Sequence, residues 1–225
     1  MRALYYCRTA QDVGGDCETL LSDILHAKQS NLAAASACAR QQVIQQCINL
    51  PDSSDVPQAN SYTVCMSSVA LMRRCQPALL QGWTPVDVLG DGNCMFRAVS
   101  FALYGTEDHH KTLRLHASLE IVDHRYLYDR DVPGCHPVFR QMEIVAPSFM
   151  DLLRDVATLG SACCIGALVA LSSVVCKPIY SYYPPLQPTF VSPLTQLIVG
   201  RGVSESTRQL AVMWTTASSA VYSRL

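Results

Sequence analysis

The stretch LGDGNCMFRAVSFALYG, Leu89 to Gly105, puts a cysteine directly behind a Gly-Asp-Gly-Asn turn and at the head of a run that reads as a helix. Phe96, Val99, Ala102 and Leu103 recur at helical spacing, and TPVDVL before the turn reads as a brief extended piece. A thiol attacks as its thiolate. A helix N-terminus favours that form, because its unpaired N–H groups and the helix dipole stabilise negative charge. Gly90 and Gly92 accept dihedrals that other residues resist, so the turn can aim backbone N–H groups into one concavity, as an oxyanion hole for acyl transfer requires. Cys94 is therefore the candidate nucleophile. Its competitors have a simpler explanation: Cys38, Cys47, Cys163, Cys164 and Cys176 lie in apolar helical runs and read as small buried hydrophobes.

Outward from this stretch, DHHKTLRLHASLEIVDHRYLY reads as one further helix, with Glu107 or Asp108 suited to its positive N-terminal end. SFMDLLRDVATL starts another, with Ser148 as its cap. A break at Gly160-Ser161 leaves a core helix from Ser161. PIYSYY and LAVMWTT read as two short strands, separated by Pro-rich PPLQPTFVSP and polar GRGVSESTRQ. Upstream, CETLLSDILHAKQ places Leu20, Leu21, Ile24 and Leu25 on one face, and NLAAASACARQQVIQQCINL continues with strong helix formers. Pro51 to Ser61 reads as a loop and SSVALMRRC as a short helix. Helices first and a few late strands predict an α+β fold with a small sheet packed between helices.

The composition, 225 residues that are 49% hydrophobic and 16% charged, is that of a globular chain with a real core. A formal net charge of -1 supplies no field to collect nucleic acid or an anionic membrane, so neither is an expected partner. Eleven cysteines, an odd number in a chain of this size, argue against a disulfide framework. The N-terminus carries no apolar run with a cleavage site, and reduced thiols in the cytoplasm or nucleus are the simpler expectation. No C-x-x-C occurs, and Cys135-His136 and Cys163-Cys164 lack zinc-ligand spacing, so no metal and no cofactor is expected. The uncharged VATLGSACCIGALVALSSVVC imitates a membrane span in length. Its Ser, Gly, Cys and Thr content and its break at Gly160 favour a buried helix of a soluble domain.

GDGNCMFRAVSFALYGTEDHHKTLR, Gly90 to Arg114, resembles the signature of the ovarian-tumour (OTU) class of cysteine proteases: G-D-G-N-C-x-[FY]-R-[AS], then L-[YW]-G, then H-x-x-[LM]-R. The leading helices, the ALMRR segment and the IYSYYP…VMW pairing are similar to its vertnin-like subgroup. The resemblance implies an OTU-like domain over 83–225, after a helical N-terminal extension over 1–82. It implies a deubiquitinase whose partner is ubiquitin or polyubiquitin, with Cys94 as nucleophile and Asp91 anchoring the loop. The backbone N–H groups of Gly92, Asn93 and Cys94 would hold the oxyanion, and Phe96 and Arg97 would hold the helix in place.

One element of the pattern is missing. The family's general base, a His after the last strands, has no counterpart, since the last histidine of this chain is His136. Three readings follow: a piece that stops before the final strand, a natural noncatalytic regulatory or binding protein of vertnin-like type, or service by His109, His110, His124 or His136. The first expects an apparently truncated domain that lacks its last strand and is inactive or impaired as it stands.

Overall fold

Leu20, Leu21 and Ile24 share one face of a helix, and that helix, α1 (Val13–His26), buries all three against α5 (His110–Asp123). The computed structural model describes residues 13–27, 29–45, 62–141, 148–183, 194–214 and 221–223. A short 3-10 turn, Gln29–Asn31, joins α1 to α2 (Leu32–Gln45), which also packs on α5. Lys111 of α5 pairs with Glu18 of α1, and Asp123 at its far end accepts from Ser36 and Arg40 of α2. The N-terminal helices thus share one core with the helices that follow. The segment Pro51 to Ser61, expected as a loop, lies outside the described residues.

α3 (Met66–Cys75) forms where SSVALMRRC predicts a helix and runs into a 3-10 turn, Pro77–Gln81. The extended piece before the Gly-Asp-Gly-Asn turn is reduced to a single antiparallel bridge, Val64 to Val86. Next come α4 (Cys94–Tyr104), closed by left-handed Gly105, and α5, buried almost all round. The single helix expected through Tyr128 is broken. At His124 the backbone leaves the helical region, and α6 (Arg125–Tyr128) turns back so that the Tyr128 hydroxyl reaches Glu120 Oε1 and Ser173 Oγ.

A short helix absent from the sequence reading, α7 (Pro137–Gln141), precedes α8 (Phe149–Ala157). Ser148 caps α8 as expected, its Oγ accepting from the Asp151 N–H at 3.2 Å. The apolar run beyond Gly160 gives α9 (Gly166–Val175), later and shorter than a helix from Ser161. The reason is local: the Gly160 N–H and the Ser161 carbonyl are engaged by Asn93 and Arg114, so the chain here follows the turn before α4. Among the described residues no helix is long and apolar enough to cross a membrane.

The sheet has strand order β2-β1-β3-β4 over β1 (Ile179–Tyr182), β2 (Gln196–Ile198), β3 (Leu210–Trp214) and β4 (Val221–Ser223). β1 runs parallel to β3, with Ile179 opposite Leu210, and the two outer pairings are antiparallel. Side chains alternate across the strands. Ile179, Leu210 and Val212 join the helical core, while Tyr182 and Met213 turn to the opposite face and pack with Cys65 and Met72. The expected α+β fold, a small sheet between helices, is what the chain adopts.

Two expectations are corrected. The sequence reading has two strands, PIYSYY and LAVMWTT, and the sheet has two more among the described residues: β2, and β4, which pairs with β3 with Trp214 opposite Val221 and packs on α4. Of the five cysteines read as buried, Cys38 and Cys176 are exposed, Cys163 and Cys164 are half-buried, and Cys47 lies outside the described residues. Cys38 faces away from α5, and Cys176 is the left-handed residue that ends α9.

Candidate active site

Gly92 has φ +80, a conformation that costs any residue with a Cβ. A Cβ placed there would also sit 1.8 Å from the Gly160 carbonyl oxygen, so the turn lies against the backbone of the 158–161 loop. Asp91 organises the turn from within. Its Oδ1 accepts from the Asn93 N–H at 2.9 Å, and its Oδ2 accepts from Asn93 Nδ2 at 3.0 Å and from Arg97 of α4 at 2.7 Å. Burial alone would push the Asp91 carboxyl up. The hydrogen bonds from Arg97 and Asn93 and the Arg97 charge outweigh it and hold the carboxyl well below the usual carboxylate range.

Asn93 ends the turn and precedes the helix, yet its side chain does not cap α4. Instead Asn93 Oδ1 accepts from Arg114 Nε at 2.8 Å and from the Gly160 N–H at 2.9 Å. Arg114 is fully buried. It donates to the carbonyls of Gly92 at 2.8 Å, Asp155 at 2.9 Å, Val156 at 2.8 Å and Ser161, and its guanidinium lies 4.4 Å over the Phe96 ring. One side chain from α5 therefore ties the turn, the end of α8 and the following loop together. The burial lowers its pKa, while Cys163, Asp91 and Cys94 favour its charged form.

The turn delivers Cys94 to the first residue of α4. Cys94 is 3% exposed and lies within electrostatic reach of the buried Arg114. Asp91, Gly92, Asn93 and Cys94 are thus brought together as one turn. Of the two acidic residues expected at the start of α5, neither lies in its first turn. Glu107 faces the turn instead: it accepts from the Leu89 N–H at 3.3 Å and lies 3.5 Å from Arg97. Phe96 is fully buried, and Arg97 pairs Asp91, so both hold the helix and turn in register.

The four candidate histidines are placed apart in the chain's bonding. His109 sits edge-on to Tyr104 at 4.9 Å between ring centroids. His110 Nδ1 lies 2.8 Å from the Glu107 carbonyl, His124 Nδ1 3.1 Å from Glu120 Oε2, and His136 Nε2 3.1 Å from the Val199 carbonyl. Burial pushes the imidazoles of His109, His110 and His136 down. Among the described residues no group of three or more His, Cys, Asp or Glu could hold a metal ion. Cys163 and Cys164 flank the Arg114 site, and burial pushes the Cys163 thiol up to about 12, against the pull of Arg114. That thiol is a poor nucleophile at neutral pH.

Sequence reasoning singled out neither Arg114 nor Gly160 for the site. An arginine between leucines in a helix whose apolar positions do not form one stripe was the available signal, since such a helix is buried on several sides and its charge must find partners there.

The turn, the buried arginine and the helix headed by Cys94 fall in or beside the stretch that is similar to known proteins. Residues 85–145 match the family model described as "Vertnin, OTU domain". "OVARIAN TUMOR DOMAIN-containing deubiquitinating enzyme 12" of Arabidopsis thaliana is 33% identical over 87 residues, 38% of this chain and 40% of that protein. Enzyme 11 of the same series is 38% identical over 52 residues, 23% of this chain and 21% of that protein. The similarity to OTU domains therefore centres on residues 85–145, and the model matched there is that of the vertnin branch. The chain spans less than half the length of these curated relatives. Among solved structures, the OTU domain of OTUD1 aligns at TM-score 0.48 and 20% identity, covering 70% of this chain and 97% of that one. The viral OTU domain protease from Dera Ghazi Khan virus aligns at TM-score 0.44 and 15% identity, over 65% and 83%.

Proposed function

We propose that this domain is directed at the C-terminal tail of ubiquitin and presents Cys94 as a thiol nucleophile to the isopeptide carbonyl. The observation that carries the reading is the placement of Cys94 at the N-terminus of α4, behind a turn locked by Asp91, Arg97, Asn93 and Arg114. The thiolate sulfur attacks the carbonyl carbon, and the electron pair displaced onto oxygen is met by the backbone N–H groups of Gly92 and Cys94, the Asn93 N–H being held by Asp91 instead. Collapse expels the lysine amine and leaves a thioester that water hydrolyses.

The expelled amine must take up a proton, and a positioned imidazolium ordinarily supplies it. No side chain is assigned to supply it, so attack by Cys94 and protonation of the leaving amine are tested as separate steps. Ubiquitin carrying a C-terminal thiol-reactive group, which needs no such proton, separates the steps. Incubation should give an adduct that mass spectrometry places on Cys94, with ubiquitin chains cut slowly or not at all.

A second reading, a noncatalytic vertnin-like regulatory or binding domain, is favoured by the engagement of His110, His124 and His136 with Glu107, Glu120 and Val199. It requires ubiquitin, or another partner, to bind without any adduct. An unreactive Cys94 in a folded chain would sink the first reading.

A further inference from the structure

The Gly-Asp-Gly-Asn turn is tied from within by Asp91 and from its far side by Arg114, but its near end leaves the core early. Val88 is 6% exposed, whereas Leu89 is 58% exposed and nothing stands within 4 Å of where a Cβ on Gly90 would be. Two residues with little to pack against, one of them a glycine, give the turn an arm about which it can swing. Glu107 meets that arm. Its Oε2 accepts from the Leu89 N–H at 3.3 Å and lies 3.5 Å from Arg97 Nη1.

Arg97 is thereby held between two carboxylates. Its Nε donates to Asp91 Oδ1 at 3.1 Å and its Nη2 to Asp91 Oδ2 at 2.7 Å, while Nη1 faces Glu107. A planar guanidinium fixed on two sides cannot rotate without giving up one of its partners. The Asp91 carboxylate that it orients accepts from the Asn93 N–H, which fixes the Gly92–Asn93 peptide plane between the two N–H groups that meet the oxyanion. Glu107 is itself firmly mounted. It follows Gly105, which closes α4, and Ser100 Oγ of α4 donates to the Thr106 carbonyl at 2.6 Å and accepts from the His109 N–H at 3.2 Å. The Glu107 carbonyl in turn accepts from the His110 N–H at 3.3 Å. So α4 carries the thiol at its first residue and, through fully buried Ser100, mounts the loop from which Glu107 reaches back to the turn.

We propose that Glu107 is a positioning residue for acyl transfer at Cys94, an assignment that rests on the function proposed above for that thiol. Glu107 holds the Leu89–Gly90 arm and, through Arg97 and Asp91, the direction of the oxyanion-binding N–H groups. In this role it touches no reacting atom. Its effect falls on the step in which charge develops on oxygen and not on the capture of ubiquitin.

The test uses the full chain and ubiquitin carried as its C-terminal thioester with mercaptoethanesulfonate. Attack by the Cys94 sulfur on the thioester carbonyl forms a new thioester to Cys94 and expels mercaptoethanesulfonate as a thiolate, so the oxyanion forms but no proton donor is needed. Cys94→Ala supplies the blank. Glu107→Ala should lower the saturating rate of thiol release about tenfold and leave the half-saturating ubiquitin concentration within about twofold. Glu107→Gln, which keeps an acceptor for Leu89 and Arg97, should recover most of the rate. Glu107→Asp, which keeps the charge but falls short of Leu89, should lose the rate as Glu107→Ala does, and it decides if Glu107→Ala does not fold. Hydrogen exchange of the Leu89 N–H, read by NMR without ubiquitin, should quicken in Glu107→Ala and Glu107→Asp and stay slow in Glu107→Gln. A wild-type chain that releases no more thiol than Cys94→Ala would sink the reading of Cys94 and this assignment with it. An active wild type matched by folded Glu107→Ala or Glu107→Asp, a loss confined to the half-saturating concentration, or unchanged exchange at Leu89 would overturn the role of Glu107 alone.

Discussion

Replacing Arg114 with Met removes the side chain by which α5 ties the Gly-Asp-Gly-Asn turn to the end of α8 and the loop after it. Met keeps the unbranched length and an apolar contact with Phe96, so the change isolates the guanidinium. That group donates five hydrogen bonds to oxygen: to Asn93 Oδ1 and to the carbonyls of Gly92, Asp155, Val156 and Ser161. Asn93 Oδ1 retains the Gly160 N–H, but the carbonyls lose a donor at sites buried for Val156 and part-buried for Gly92, Asp155 and Ser161. At about 1 kcal/mol for each carbonyl so stranded, the loss is about 4 kcal/mol, a large part of the 5–15 kcal/mol typical of a whole domain. Arg114→Lys keeps the charge but not the planar fork. Its ammonium cannot span acceptors on both sides, and about half the loss should remain. Urea unfolding followed by circular dichroism measures both variants, and the ubiquitin probe reports the site in parallel. A loss below about 1 kcal/mol for Arg114→Met, with adduct formation on Cys94 unchanged, would refute the assignment of Arg114 as the clamp of the turn.

Gly92→Ala should cost about 3 kcal/mol, from the positive φ and from the forced separation of the turn and Gly160, and should abolish the Cys94 adduct before it abolishes the fold; thermal melts and probe labelling of one sample show the order. Cys94→Ala should eliminate the adduct while lowering stability by only about 1 kcal/mol, measured by urea unfolding. Because the folded Asp91 carboxyl lies below its ordinary value of 3.8, its contribution is complete above about pH 5 and is lost as pH falls through and below that value. Asp91→Asn should flatten this acid limb in a stability profile taken between about pH 2 and 6. Tyr182→Phe should raise the unfolding free energy by about 1 kcal/mol, since it removes a buried hydroxyl that has no partner among the described residues; a decrease would show that the hydroxyl is satisfied in the folded chain.

Local signals in the chain were strong where one residue's own chemistry settles the matter. Ser148 caps α8, Gly160 breaks the backbone at φ +77, Gly105 closes α4 in the left-handed region, and α1 buries Leu20, Leu21 and Ile24 as their spacing requires. The same holds for Cys94 at the head of its helix. Signals failed where two distant segments decide. Glu107 lies too far before α5 to serve its N-terminus and pairs with Arg97 across the turn. α9 loses its first residues to Asn93 and Arg114, which hold the Gly160 N–H and the Ser161 carbonyl. Cys38 and Cys176 sit among apolar neighbours in sequence yet are exposed, because a helix buries a face and not a segment.

By itself the sequence determined the α+β class, the break at Gly160, the cap at Ser148 and the turn that carries the thiol, since each follows from backbone preferences and apolar spacing within a few residues. Only the tertiary structure decided that Gly92 rests on Gly160, that Arg114 binds the turn from a helix beyond it, that β1 and β3 run parallel, and that the Tyr182 hydroxyl is buried without a partner among the described residues. Those outcomes depend on which carbonyl, ring or strand arrives from elsewhere in the chain, and the covalent order of the residues does not contain that distance.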